Sequence, residues 1–236
     1  HVTDFWEDIT KAYENKDDNY FLGSFILIEN PNASGYEVVD GQQRLTTITL
    51  FLAILRDFFA DNGRMDLAQK IQSEFIRKDE KYRLYTRTED RSAFEKTVLE
   101  DTQSLARYKS STMRKQFIHA INVFHNHIDL KNEEMRLDAK SFVEYMAAVY
   151  EFALNKVIVI TVVTDDISSA YTIFETINQR GKELHTEDLL KNYLLKKLLD
   201  EVNKHNAEKP NAQKLFEEEK RALLSIWQRI ENSGVP

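Results

Sequence analysis

The scarcity of residues that interrupt helices is the strongest constraint on how this chain can fold. Only 6 glycines and 3 prolines occur in 236 residues, and these are the residue types that most often end or break a helix. With 42% hydrophobic and 30% charged residues, the composition favours a folded core over disorder. We therefore expect an α+β protein in which long helices predominate and a few strands form a small sheet.

Three segments have the composition of strands, and a fourth is a weaker candidate. Phe21–Ile28 (FLGSFILI) is a nearly continuous apolar run, and Tyr36–Val39 follows after a loop, which predicts an antiparallel pair. Val157–Val163 (VIVITVV) is β-branched throughout and apolar enough to be a central strand. Tyr82–Thr86 alternates between polar and apolar residues and is a weaker candidate.

Helical periodicity covers most of the remaining chain. In the clearest case, Leu45, Ile48, Leu52 and Leu55 share one face, and Asp61-Asn62-Gly63 ends the helix. Besides a first helix that begins near Thr3, helices are predicted at about 42–60, 66–77, 92–100, 112–128, 141–154, 168–179, 186–205 and 212–230.

Charge and cysteine content limit the classes of function. The absence of cysteine excludes disulfides and thiolate chemistry and agrees with a cytoplasmic location. No apolar segment is long enough to span a bilayer, so we expect no membrane partner. The net charge of −7 argues against a chain that binds nucleic acid over its whole surface. Two local basic clusters, at 77–91 and 107–115, are more typical of solvated faces.

The densest polar motif lies where the second strand meets a helix, in Val38–Thr47 (VVDGQQRLTT). A strand-to-helix turn presents backbone N–H groups and the positive end of the helix dipole to an anion. Gly41 allows close approach of a ligand, Arg44 offers a forked cation for phosphate, and Asp40 can hold magnesium. The candidate ligand-binding residues are Asp40, Gly41, Gln42, Gln43, Arg44, Thr46 and Thr47.

A purely structural interpretation of this motif remains open. Asp40 could cap the helix and pair with Arg44, while both glutamines face solvent. The chain also contains no G-x-x-x-x-G-K-[ST] phosphate-binding loop.

A second polar motif, Phe174–Gly181 (FETINQRG), ends a predicted helix. Glu175 and Asn178 are neighbours on the helix surface, and Gly181 is suited to the helix C-terminus. Thr186 can cap the next helix, in which Lys191 lies on a polar face. Taken alone, this pattern is typical of a corner between two helices.

Together, the two motifs closely resemble the N-terminal DGQQR domain of the GmrSD-type restriction endonucleases, which are type IV, modification-dependent enzymes. The resemblance extends to Phe21–Gly23 (FLG) and to FETINQRGKELHTEDLLKNYLL from Phe174 onwards. It implies a small ParB/sulfiredoxin-like mixed sheet with a large helical remainder. It also implies that Asp40–Arg44 bind or hydrolyse a nucleoside triphosphate with magnesium, and that hydrolysis regulates cleavage of modified phage DNA.

The resemblance also assigns roles to single residues. Asp40 and Arg44 would be catalytic, and Asp40 would be the metal ligand. FETINQRG would pack beside the turn, where Asn178, Arg180 and Lys191 would complete the nucleotide pocket.

The same resemblance gives an expected domain organisation. Residues 1–90 would form the first part of the core, 91–155 a helical insertion, and 156–205 the rest of the core, followed by a C-terminal helix at 206–236. The first residue is His and the last residues are IENSGVP, so we expect a piece of a longer protein. DNA would be contacted through the full-length protein or a nuclease domain outside this chain, and homo-oligomer formation stays open.

Two other functions remain as alternatives. The domain could be a scaffold that recognises DNA or protein, with a structural DGQQR turn. It could also be a nuclease, which would require Asp40 to meet Glu175 or Asp188 around a metal. The tripeptide His125-Asn126-His127 is not expected to bind metal, because residues two apart on a helix point to different sides.

Overall fold

The computed structural model describes residues 1–29, 35–79, 81–86 and 112–178, with isolated positions at 91, 94, 95, 218, 221, 222 and 225. Contacts between residues divide the chain into two compact units. Of the main described ranges, the first unit contains 1–23, 41–79, 81–86 and 112–159, and the second contains 24–29, 35–40 and 160–178. The α+β class predicted from the sequence is confirmed.

Long helices and short strands follow one another along the described chain. In chain order they are α1 (Val2–Glu14), β1 (Tyr20–Glu29), β2 (Tyr36–Asp40), α2 (Gln42–Asp61), α3 (Met65–Ile71) with a π-helical turn (Gln72–Ile76), β3 (Arg77–Lys78), β4 (Lys81–Tyr82), α4 (Thr112–Met135), α5 (Ala139–Lys156), β5 (Val157–Thr164) and α6 (Ile167–Asn178).

Helix α2 is the centre of the first unit. Every residue from Thr49 to Arg56 is buried, so this part of the helix is enclosed on all sides rather than along one stripe. Phe51 packs edge-on against Phe5 at 5.4 Å and lies 5.8 Å from Phe124, measured between ring centroids. Burial of each such ring contributes about 1.5–3 kcal/mol. This packing fixes the direction of α2 and hence the position of its first turn.

The mixed three-stranded sheet has the strand order β2-β1-β5. Strands β1 and β2 are antiparallel, with Leu27 opposite Val38 and Ile28 opposite Glu37, and the register shifts between Ile26 and Leu27. The predicted antiparallel pair is therefore confirmed. In the second unit, α6 packs against β2, the strand that ends at Asp40.

Strand β5 differs from the expectation of a central strand. Among the strands that the structure describes, it lies at the edge of the three-stranded sheet, and four of its large apolar side chains are exposed. A β-branched, apolar segment predicts a strand, but its neighbours in the sheet depend on the rest of the chain. Of the weak strand candidate Tyr82–Thr86, only Tyr82 lies in a strand, the two-residue β4 (Lys81–Tyr82).

Other boundaries differ less. Helix α4 continues to Met135 because the polar residues after Ile128 include good helix formers. The helices predicted at 186–205 and 212–230, and most of the one at 92–100, lie outside the described residues. The predicted domain boundaries stay a prediction.

Candidate functional site

The turn between β2 and α2 depends on Gly41. This residue has φ 90° and ψ 9°, in the left-handed region, and α2 begins at the next residue. A residue with a Cβ would be strained there, so glycine is what allows the strand to pass directly into the helix. The N-cap residue, Gly41, has no side chain that could cap the helix, and the first backbone hydrogen bond of α2 runs from Leu45 N–H to the Gly41 carbonyl.

The side chains of the first turn fall into two groups. Gln42 and Gln43 are exposed. The Thr46 hydroxyl donates to the Gln42 carbonyl at 2.8 Å, and Thr47 is only 7% exposed. A ligand at this turn would therefore reach the two glutamine side chains more easily than the two threonine hydroxyls.

Arg44 lies directly over Gly23 of β1. A Cβ added to Gly23 would be 3.1 Å from Arg44 Nη1 and 3.4 Å from Cζ, and Gly23 has φ +130°. The guanidinium thus occupies space that any larger residue at position 23 would need. Sequence reasoning did not connect these residues, although an isolated glycine inside a strand is a known sign of close approach by another group.

The second motif is only partly described. Helix α6 begins after Asp166, whose Oδ1 accepts from the Ser169 N–H at 2.8 Å, and hydrogen bonds from Ser169 lower the pKa of Asp166. Asn178 is the last residue of the helix, and its backbone alone is described. Arg180 and Lys191 lie outside the described residues. The part that these three residues play in a pocket stays a prediction.

Metal-binding groups are sparse in the described part of the chain. No group of three or more His, Asp or Glu side chains there could hold a metal ion. His127 stacks on Trp6 with ring centroids 5.9 Å apart, which gives this histidine a packing role. Asp40 is a half-buried carboxylate at the end of β2, opposite Ile26 in the register.

Two cavities in the first unit are less suited to a polyphosphate than the turn is. One, of about 260 Å³, is lined by Asp57, Asp61 and Asp129 and by no lysine or arginine of the described residues, which disfavours phosphate. The other, of about 290 Å³, contains Lys11 and Lys131. Both lysines already pair with carboxylates, at 2.9 Å from Glu7 and 2.7 Å from Glu14. No residue from 40 to 47 lines either cavity.

Within the described residues, no helix is long and apolar enough to cross a membrane.

Comparisons with known proteins place the chain in a family. Among curated proteins no match is found. A family model described as the N-terminal domain of the GmrSD restriction endonuclease matches residues 1–195, a range that includes both polar motifs. The chain therefore belongs to the family of GmrSD restriction endonuclease N-terminal domains.

Proposed function

We propose that this domain binds a nucleoside triphosphate with magnesium at the turn between β2 and α2, and that its hydrolysis regulates DNA cleavage. Family membership makes the domain a module of a restriction or defence protein. The observation that carries the proposal is the left-handed Gly41, which starts a helix with two exposed glutamines and Arg44 in its first turn.

The backbone supplies the first part of the binding energy. The first turn of a helix directs N–H groups outward and carries about half a positive charge. Because Gly41 has no side chain, a phosphate can come close to this backbone. Gln42 and Gln43 can then donate amide hydrogens to the phosphate oxygens or to the nucleoside.

Arg44 supplies the cation. A guanidinium can donate two parallel hydrogen bonds to one phosphate and neutralise charge that builds up during phosphoryl transfer. Contact with Gly23 limits the orientations that the Arg44 side chain can adopt, which lowers the entropy lost on binding.

Asp40 fits the requirements of magnesium. Mg²⁺ is usually held by one or two carboxylates together with phosphate oxygens and water, rather than by a cluster of protein ligands. One carboxylate at the end of β2 is consistent with that chemistry. Bound magnesium would neutralise the phosphates, while Asp40 would hold the ion or orient the attacking water.

Titration calorimetry with ATP, GTP, CTP and UTP in the presence of Mg²⁺ tests binding. We expect at least one triphosphate to bind, and Arg44→Ala to weaken that binding at least about tenfold, because a charge-assisted hydrogen bond contributes about 1.5–3 kcal/mol. Arg64→Ala is the matched control, since Arg64 is an arginine of the same unit that pairs with Asp66 and Glu144. Absence of binding heat with all four triphosphates would contradict the proposal.

Phosphate release tests hydrolysis separately. If Asp40 holds magnesium or orients water, Asp40→Asn should abolish release while triphosphate binding is retained at high Mg²⁺. Equal rates of release in the wild type and the variant would remove Asp40 from the catalytic role.

A scaffold function is the second candidate, and the contact between Arg44 and Gly23 favours it, because an arginine held against a strand can be structural. In that case Arg44→Ala would lower the melting temperature, and no nucleotide would change the melting temperature of either protein.

A further inference from the structure

Strand β5 combines an apolar sequence with an exposed position. Of the strands in the described part of the chain, β1 alone pairs with β5, so the other edge of β5 carries no strand there. Ile158, Val159, Ile160 and Val163 are 43–53% exposed. These residues lie on both faces of the strand, because side chains alternate along it.

Nothing in the sequence of β5 discourages pairing with another strand. Edge strands usually carry charges, proline or bulges that block association, but VIVITVVT contains no charged residue, proline or glycine. The opposite edge strand provides a comparison within the same sheet. Strand β2 is shorter and contains Glu37 and Asp40 among its five residues. Strand β2 is therefore better protected than β5 against pairing with a strand from another molecule.

The charges that flank β5 are self-complementary. Lys156 immediately precedes the strand and Asp165 immediately follows it, and both are exposed. No hydrogen bond or ion pair joins either side chain to another described residue. If two β5 strands pair antiparallel about their centres, each Lys156 lies opposite an Asp165. A parallel pairing in register would place Lys156 against Lys156.

The same antiparallel register matches the apolar residues. It places Ile158 opposite Val163, Val159 opposite Val162, and Ile160 opposite Thr161. Cross-strand pairs of β-branched residues stabilise sheets. A shift by one residue would break the match between the charges and change which faces meet.

We propose that β5 is a self-association strand, through which two copies of this domain pair antiparallel and join their three-stranded sheets. This surface is independent of the proposed nucleotide site. An interface centred on eight residues is smaller than the standard interface of about 1,600 Å², so the dimer should form in a concentration-dependent manner.

Cysteine cross-linking tests the register, and the chain has no native cysteine to interfere. Val159→Cys and Val162→Cys are prepared as separate proteins, mixed, and oxidised under mild conditions. Opposed residues in an antiparallel pair lie about 4.5–5.5 Å apart at Cα, within disulfide range. Two copies of residue 159 would lie about 10 Å apart, beyond that range.

We therefore expect at least about tenfold more disulfide-linked dimer in the mixture than in either variant alone. Tyr36→Cys, at an exposed position on β2, is mixed with Val162→Cys as the control and should give no linked dimer above background. Sedimentation of Val159→Lys, with circular dichroism to verify its fold, should show a monomer at concentrations where the wild type dimerises.

Equal cross-linking in all samples would indicate random collision and overturn the proposal. A wild type that stays monomeric at every concentration and gives no linked dimer in the mixture would also overturn it, and a strand from a different protein would then be the better candidate for this edge.

Discussion

The Arg44 guanidinium lies against Gly23 within the first unit. A Cβ on Gly23 would approach Arg44 Nη1 to 3.1 Å, and the backbone of Gly23 has φ +130°. The position of the arginine in the first turn of α2 therefore depends on the absence of a side chain in β1. This contact connects the FLG segment to the DGQQR turn.

Substitution of Gly23 by alanine should disturb both stability and Arg44. An L-residue forced into this backbone conformation costs about 1–3 kcal/mol, and the new methyl group would push the guanidinium, 3.1 Å away, out of its present position by a small distance. We expect a lower melting temperature and, if Arg44 binds phosphate, weaker triphosphate binding by calorimetry.

Gly35→Ala is the control for backbone strain. Gly35 has φ +150°, but a Cβ there would have no neighbour within 4 Å. This variant should lose stability without losing nucleotide affinity. Equal binding by Gly23→Ala and the wild type would show that the contact with Gly23 does not control the function of Arg44.

Asp57 should be important for stability because it pairs with a buried arginine. Arg56 is 7% exposed, and its Nε donates to Asp57 Oδ1 at 2.6 Å. Removal of one partner of a buried ion pair typically lowers the free energy of unfolding by about 3–5 kcal/mol. We expect Asp57→Ala to lower it by about 3 kcal/mol, as measured by urea denaturation. The double variant Arg56→Met/Asp57→Leu should be more stable than Asp57→Ala, and the opposite order would refute this explanation.

The pairing of Glu14 predicts a dependence of stability on acid pH. Partial burial acts to raise the pKa of Glu14, but hydrogen bonds from Lys131 and Tyr145 outweigh it and lower the pKa below its ordinary value. A carboxyl with a lowered folded-state pKa stabilises the fold above its unfolded pKa of about 4.3, and this contribution disappears as the pH falls through the folded-state pKa.

Urea denaturation from pH 7 to pH 3 measures this contribution. The unfolding free energy of Glu14→Gln should fall less steeply in acid than that of the wild type. Glu7→Gln, which alters the exposed pair with Lys11, should follow the wild-type curve. Parallel curves for Glu14→Gln and the wild type would exclude Glu14 as the source.

Replacement of Tyr150 by phenylalanine, which removes only the hydroxyl, should stabilise the protein. The Tyr150 side chain is fully buried, no described residue hydrogen-bonds its hydroxyl, and burial raises its pKa to about 12. Tyr150→Phe should therefore raise the unfolding free energy by up to about 1 kcal/mol. Tyr145→Phe should instead lower it by about 1 kcal/mol, because the Tyr145 hydroxyl donates to Glu14 at 2.8 Å. A loss in Tyr150→Phe would contradict this interpretation.

Local sequence patterns predicted where helices and strands lie more accurately than they predicted what packs against them. The β1–β2 pair and α2 follow from apolar runs and turn residues, and Gly63, with φ +76°, lies just beyond the end of α2 as the Asp61-Asn62-Gly63 pattern indicated. The exposure of β5 could not be predicted because it depends on which strands and helices reach it.

At the candidate site, too, the sequence predicts the local turn but not the contacts between residues that are distant in sequence. The turn at Gly41 follows from a strand, a glycine and a helix in sequence. Thr47 is among the candidate ligands that the sequence suggests, but periodicity near a helix start does not reveal which side chains enter the core, and Thr47 is buried. The contact of Arg44 with Gly23 joins residues far apart in sequence, so only the folded chain reveals it.

Hydrogen exchange of the backbone amides, with and without a triphosphate and Mg²⁺, tests the central claim most directly. Peptides that cover residues 41–45 should become protected on addition of the triphosphate, whereas peptides that cover 57–62, beside the acidic cavity, should not change. Protection at 57–62 or elsewhere, with none at 41–45, would contradict a nucleotide site at Gly41.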